Sequence, residues 1–217
     1  MVLASSSPRR RELLVLGGWK FQVHPTETDE SQHPGEAPGT YVLRLAESKA
    51  RACVATAFTD QIILAADTVV VDGKDILGKP KDVVDAATIL RRLRGHSHQV
   101  YTGIAVLRMS DEALVTDLCA TDVPMRNYSD DEVAAYVATG DPLDKAGAYA
   151  IQHPTFHPVE GLGGCHASVM GLPLCHLTRS LRQFDIAPQT DISAECQSAL
   201  KYTCPIFSAV LRGETIG

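Results

Sequence analysis

Apolar residues recur along this chain in two rhythms. Val42, Leu45, Ala46, Lys49 and Cys53 follow the i, i+3, i+4, i+7 spacing of one helical face, which predicts a helix over about residues 40–57. Ile62-Ile63-Leu64-Ala65-Ala66 and Val69-Val70-Val71 form an apolar run that reads instead as a buried strand over 61–71. Asp72-Gly73 is a hairpin signal leading to a short strand near 75–78. Two longer runs, 99–109 and 113–125, join around Ser110-Asp111 and predict an antiparallel pair. Asp82 caps a predicted helix that reaches residue 93 and stops at Gly95, and Ser129-Asp130-Asp131-Glu132 is a capping-box pattern opening a helix to about 139. Residues 147–152 and 166–170 read as short strands, 153–164 as a Pro/Gly-rich loop, and 173–184 as a further helix.

At the start of the chain, Val2-Leu3-Ala4-Ser5 reads as a short strand and Ser6-Ser7-Pro8 as a turn. Ser7 suits the N-cap and Pro8 the first helical position, ahead of Arg9-Arg10-Arg11. Free N–H groups, hydroxyls and guanidiniums gathered at a helix start form a trap for a multiply charged anion such as phosphate. A capped surface helix with solvated arginines has the same pattern.

Strands and helices intermix, and two adjacent long strands imply antiparallel pairing. The expected fold is therefore α/β with a mixed, largely antiparallel twisted sheet and flanking helices, not a regular doubly wound one. The 217 residues suffice for one large domain or two small lobes around a cleft. The character of the chain changes near Pro188-Gln189-Thr190, dividing residues 1–187 from a C-terminal extension, 188–217, of unassigned role.

A net charge of −6 argues against binding a nucleic-acid polymer, which needs a broad basic surface, and favours a small anion in a local basic pocket. No apolar run is long enough to span a membrane, and the N-terminus lacks the apolar segment of a signal peptide, so a cytoplasmic location is expected. Six cysteines are scattered without C-x-x-C or zinc-type spacing and read as mostly small core residues rather than a disulfide framework.

Charges placed against the local pattern point to chemistry. Asp67 interrupts the apolar run at 62–71, and a buried carboxylate needs a cation, a metal or hydrogen bonds. Lys49 sits on the apolar stripe of its helix, either snorkelling or facing inward toward a phosphate. Lys79 and Lys81 flank Pro80 in a loop. Glu27, Asp29 and Glu30 form an acidic cluster of the oxygen-donor type that Mg²⁺ prefers. His96 and His98 are expected at the surface. The turn after Asp144 delivers Lys145 and then Gln152, whose amide can both donate to and accept from a base edge.

Taken in order, these segments resemble the Maf family of nucleotide pyrophosphatases. The resemblance rests on Leu3-Ala4-Ser5-Ser6-Ser7-Pro8-Arg9-Arg10, Asp29-Glu30, Glu47-Ser48-Lys49-Ala50, Ala66-Asp67-Thr68-Val69-Val70, Gly78-Lys79-Pro80 and Tyr101-Thr102-Gly103. It continues through Pro142-Leu143-Asp144-Lys145-Ala146-Gly147-Ala148-Tyr149-Ala150-Ile151-Gln152 and Val169-Met170-Gly171-Leu172-Pro173. It covers about residues 2–184 and implies a two-lobed fold like that of inosine triphosphatase. It also implies hydrolysis of a nucleoside triphosphate to the monophosphate and pyrophosphate with a divalent metal (Mg²⁺, Mn²⁺ or Co²⁺).

On this resemblance Ser5, Arg10 and Lys145 bind phosphate, and Lys49 and Lys79 neutralise charge in the transition state. Glu30 and Asp67 hold metal, and Asp67 orients or deprotonates water. Arg9, Thr68 and Gln152 stand where the dTTP/UTP branch differs from the 7-methyl-GTP branch, which usually carries Trp, Gln and Glu. His153 replaces a usual Gly, and the stretch to Glu160 departs from the family pattern. The alternatives are a pyrophosphatase for 7-methyl-GTP or another modified nucleotide, and a nucleotide-responsive regulator of cell division. A homodimer is compatible with all three.

Overall fold

The computed structural model describes residues 1–56 and 61–217. Its strands are β1 (Val2–Leu3), β2 (Gln22–Val23), β3 (Ile62–Asp72), β4 (Asp75–Leu77), β5 (Ser97–Arg108) and β6 (Ala113–Pro124). Its helices are α1 (Pro8–Val15), α2 (Pro38–Ala52), α3 (Val83–Leu93), α4 (Asp130–Ala138), α5 (His166–Val169), α6 (Leu174–Arg182), α7 (Ile192–Leu200) and α8 (Phe207–Leu211). The sheet runs β2-β1-β3-β5-β6, with β4 also on β3. β1 is parallel to β2 and β3, while β3, β5 and β6 are antiparallel. The mixed, largely antiparallel sheet follows from the hairpin signals, since short turns can join only antiparallel neighbours.

Most predicted helix starts are where the side chains call for them. Ser7 caps α1 with Pro8 in its first turn, Asp82 caps α3 through the N–H groups of Val84 and Asp85, and Ser129 and Glu132 form a full capping box on α4. α2 begins at Pro38 and ends at Ala52, followed by a 3₁₀ turn over Cys53–Thr56. The last residue of the predicted helix, 57, lies outside the described residues.

Alternation along β3 sets the layers. Its odd-numbered residues face α2: Ile63 and Ala65 pack with Ala46, Ala50 and Cys53, while Val69 and Val71 pack with Tyr41, Val42 and Leu45. Its even-numbered residues serve two separate cores. Ile62, Leu64 and Ala66 join Leu13, Leu14, Leu177 and Leu181 from α1 and α6. Val70 joins Leu90, Val133 and Tyr136 from α3 and α4. Between Ala66 and Val70 stands Thr68, bonded to Thr102 on β5 at 2.9 Å. This polar pair stands between the two cores on these strands.

β3 also has one interrupted edge. β5 pairs with one side of it from Ile62 to Val71. On the other side β1 pairs at Ile63 and Leu64, and β4 pairs from Val70 to Asp72. Residues 65–69 have no strand beside them on that edge among the described residues, so Asp67 and Thr68 open onto a gap while their side chains point to opposite faces.

Gly103 explains how closely α2 approaches. It lies opposite Asp67, and a Cβ there would stand 2.7 Å from the backbone carbon and oxygen of Val42. Any side chain would push the helix off the sheet.

Three expectations are corrected. Residues 147–152 form no strand: Gly147 (φ 71°) and Ala148 (φ 59°) are left-handed within a 3₁₀ turn, and Gly147 sits against Val70, where a Cβ would be 2.8 Å away. Residues 166–170 contain the helical turn α5, because an apolar run this short carries no usable period. His98 is buried (3% exposed), because it alternates inward on β5 with Val100. Its Nε2 shares a 2.8 Å hydrogen bond with the Tyr149 hydroxyl. His96 is exposed, as expected, and meets Asp72 at 2.9 Å. The two-residue β2 had no sequence signal.

The segment past Phe184 packs onto the first core. Ile192 and Val210 are buried, and α7 and α8 both contact α6. Trp19 Nε1 donates to the Ala187 carbonyl at 3.1 Å, and the Thr190 hydroxyl to that of Leu16 at 2.7 Å. Among the described residues no helix is long and apolar enough to cross a membrane.

Two predictions follow from this packing. Gly103→Ala should lower unfolding free energy by about 2 kcal/mol, measured by urea denaturation, because the clash is with backbone that cannot rotate away. Burial lowers the His98 pKa from 6.5 to about 4. The unfolded chain therefore binds more protons between these values, and the contribution of a neutral His98 is complete above pH 6.5 and lost as pH falls toward 4. Stability should drop by about 2 kcal/mol more from pH 7.5 to 5 in the native chain than in His98→Gln, compared by denaturation midpoints.

Candidate active site

The gap in β3 opens into a cleft of about 690 Å³, a size typical of small-molecule sites. The ten residues to which the resemblance gives a role all line it: Ser5, Arg9, Arg10, Glu30, Lys49, Asp67, Thr68, Lys79, Lys145 and Gln152. Five basic side chains and three carboxylates (Glu30, Asp67, Asp144) face it, so the lining is net positive in a net negative protein. That combination focuses a field for a compact anion.

Asp67 is 7% exposed, and its Oδ1 accepts from Lys49 Nζ at 2.6 Å. Lys49 reaches it because residues 42 and 49 share a helical face, and Gly103 lets that face settle on the sheet. The same ammonium meets Glu30 Oε1 at 2.6 Å. Glu30 arrives on the loop before α2, where its carbonyl accepts from the Tyr41 hydroxyl at 2.6 Å. Tyr41 precedes Lys49 by about two turns on the same helix face, so helical spacing could have found it.

The rest of the acidic cluster does not take part. The Asp29 carboxylate accepts from the backbone N–H of Ser31, and Glu27 does not line the cleft. Lys81 likewise stays outside, its backbone N–H bound to Asp85.

Arg10 is held from three sides. Its Nε donates to the Gly171 carbonyl at 2.9 Å, Nη1 to Ser5 Oγ at 3.3 Å and Nη2 to Thr68 Oγ1 at 3.2 Å. The Thr102 hydroxyl spends its hydrogen on the Ser168 carbonyl at 2.9 Å, so Thr68 must donate in the Thr68–Thr102 contact. Thr68 thus offers Arg10 a fixed lone pair and positions the guanidinium. Gly171, at φ 105°, turns its carbonyl toward Arg10 in a conformation other residues resist. Burial lowers the Arg10 pKa and the charge of Asp67 opposes the shift, yet a guanidinium stays charged at any ordinary pH. All its partners are neutral. Among the described residues neither Arg10 nor Lys79 makes an ion pair, which leaves two positive charges for a ligand.

The remaining cations are committed. Lys145, nearly buried, donates to the Asp141 carbonyl at 2.6 Å, Asp141 Oδ1 at 2.9 Å and Asp144 Oδ1 at 2.6 Å, which uses all three ammonium hydrogens. Burial raises the pKa of both carboxylates. Hydrogen bonds outweigh it and hold both below their ordinary value, from Tyr136 and Lys145 at Asp141 and from Lys145 at Asp144. Arg9 stands 3.5 Å from Asp144 Oδ2. Gln152 is exposed on the far wall, beside Ile151.

The loop after Gln152 is ordered by Arg126, which donates to the carbonyls of His157 at 3.1 Å and Phe156 at 2.9 Å. Phe156 stacks on Tyr136 with ring centroids 4.3 Å apart.

The oxygen-donor set suits a hard divalent cation. Two carboxylates already converge on one positive charge, that of Lys49. Among the described residues no group of three or more His, Cys, Asp or Glu gathers to cage a metal. Glu30 and Asp67 are hard oxygen donors of the kind Mg²⁺ takes alongside phosphate and water.

A family model described as Maf-like protein matches residues 1–184. A dTTP/UTP pyrophosphatase of Geobacter sp. (strain M21) is 46% identical over 182 residues, 84% of this chain and 94% of that protein. Proteins of the same name from Anaeromyxobacter dehalogenans (strain 2CP-C) and Yersinia pestis bv. Antiqua are 47% and 45% identical, over 84% and 85% of this chain and 93% and 92% of theirs. Among solved structures, a HAM1 protein from Coxiella burnetii aligns over 58% of this chain and 73% of its own at 17% identity. Its TM-score of 0.39 is too low to bear on the fold.

Proposed function

The chain belongs to the Maf family, and from that premise we propose that it hydrolyses dTTP and UTP to the nucleoside monophosphate and pyrophosphate. The observation that carries the reading is the Glu30–Lys49–Asp67 cluster, set in a basic cleft beside the unpaired charges of Arg10 and Lys79. A protein that only bound nucleotide would gain nothing from a buried carboxylate at that point, where it repels a polyanion.

Arg10, the Ser5 hydroxyl and the first turn of α1 bind the triphosphate. Arg10 acts as a rigid donor because Thr68 and Gly171 fix it before substrate arrives. Lys79 adds a mobile charge from the opposite rim, and Lys49 balances charge that shifts as the anhydride bond breaks. Asp67 orients the attacking water and takes its proton, with Lys49 Nζ on Oδ1 holding the carboxylate in place. Lys145 supports phosphate binding by holding the Asp141–Asp144 turn, and through Asp144 it sets Arg9 on the cleft wall. Arg9, Thr68 and Gln152 govern the choice of nucleotide, Thr68 by way of Arg10.

Glu30 and Asp67 would hold a divalent metal, Mg²⁺, Mn²⁺ or Co²⁺, which supplies charge neutralisation and water activation when bound.

Asp67→Asn should retain the fold by circular dichroism and lose at least about a hundredfold in pyrophosphate release. Near-normal turnover would sink the mechanism. Pyrophosphate release from dTTP, UTP, CTP and 7-methyl-GTP at equal concentration, with each metal in turn, should favour dTTP and UTP and cease with chelator. Preference for the methylated purine would reject the reading of Arg9, Thr68 and Gln152.

A further inference from the structure

Five of the six cysteines gather around the C-terminal segment. Cys165, Cys175, Cys196 and Cys204 line one small apolar cavity of about 20 Å³, room for little more than a water molecule. The Cys165 side chain neighbours that of Cys204 and that of Cys119. Cys165 and Cys119 are buried, while the Cys204 residue is partly exposed.

The surroundings fix Cys204 in place. Its backbone N–H donates to Gln197 Oε1 at 3.0 Å, and the nearby Tyr202 hydroxyl contacts the carbonyls of Leu162 and Gly164 at 2.9 Å each. Those two carbonyls belong to the segment that leads into Cys165. The Cys165 thiol and the backbone N–H groups of Ile206 and Phe207 hydrogen-bond the Cys204 sulfur. They hold its pKa well below the ordinary value against the opposing pull of burial.

We infer that Cys204 and Cys165 are a peroxide-oxidisable dithiol whose disulfide fastens the C-terminal segment to the residue preceding α5. The Cys204 sulfur attacks one oxygen of a hydroperoxide and the O–O bond breaks. A sulfenic acid forms, and the departing oxygen takes the proton that Cys204 has lost. The Cys165 sulfur then attacks the sulfenic sulfur, its thiol proton leaves with the hydroxyl as water, and the S–S bond closes. Two thiols lose two electrons, and the peroxide gains them.

The bond joins residues on both sides of the family boundary, since the family model ends at residue 184. It also anchors a wall of the cleft. The Cys165 carbonyl accepts from the N–H groups of Ser168 and Val169, the Ser168 carbonyl holds Thr102, and the Gly171 carbonyl holds Arg10. The inference does not depend on which nucleotide the cleft takes.

The test uses the full chain and a slight excess of hydrogen peroxide, followed by alkylation, proteolysis and mass spectrometry without reductant. A cross-linked peptide pair containing Cys165 and Cys204, lighter by two hydrogens and released by dithiothreitol, is expected. The thermal midpoint should rise by roughly 5–10 °C on oxidation and not in Cys204→Ser. A sulfinic acid on Cys204 with Cys165 still alkylated, a bridge between a different pair, or six alkylated thiols after peroxide would each overturn the inference. These outcomes are read on the native chain, so they hold even if the variant folds poorly.

Discussion

A carboxylate in the middle of a buried strand is the constraint that the rest of this structure satisfies. Asp67 lies on the face of β3 that is otherwise packed by apolar residues of α2, so it is stable only if that helix brings a cation to it. Lys49 does so, two turns along the face that begins at Val42. That face reaches the sheet only because the residue opposite Asp67 on β5 is Gly103. A second carboxylate, Glu30, shares the ammonium, and Tyr41 from the same helix holds the loop that carries it. Strand, helix and loop are thus tied together at one charge cluster, on the side of β3 where its edge is unpaired.

The other face of β3 serves the same cleft by different means. Ala66 and Val70 belong to separate cores, and the intervening Thr68–Thr102 pair supplies the only polar step between them on these two strands. Thr68 passes this order on to Arg10, so the step between the two cores also positions a guanidinium on the cleft wall. The cleft therefore combines two kinds of cation. Lys49 and Lys145 are saturated by carboxylates and organise the walls, while Arg10 and Lys79 keep charge available for an incoming anion.

Much of this was legible in the chain. Caps and turns are local chemistry, so the starts of α1, α3 and α4 and the β3–β4 hairpin follow from Ser7, Asp82, Ser129 and Asp72-Gly73. Asp67 and Lys49 stood out because each breaks an apolar period. The misses share one cause: short segments whose conformation is set by a distant partner. Gly147 turns left-handed where Val70 leaves no room for a Cβ, and α5 is a single turn enclosed by the core. His98 is buried by the register of β5, which an H-x-H pair does not reveal. Gly171 and Asp144 lie in segments that carry the resemblance but take no role of their own from it, since one contributes a carbonyl and the other a carboxylate in a loop.

Residue order by itself determined most of the elements and the mixed sheet, because propensity, capping and interrupted periodicity are properties of neighbours along the chain, and the ordered motifs that resemble the Maf family marked ten of the residues that line the cleft. Only the tertiary structure decided which of those charges meet. It set Lys49 between Glu30 and Asp67, spent Lys145 on Asp141 and Asp144, left Arg10 and Lys79 without a counter-ion, and brought Cys204 against Cys165. Apart from the local pairs of Lys145 with Asp141 and Asp144, these depend on contacts between residues far apart in sequence, whose distances are fixed by packing rather than by local preference.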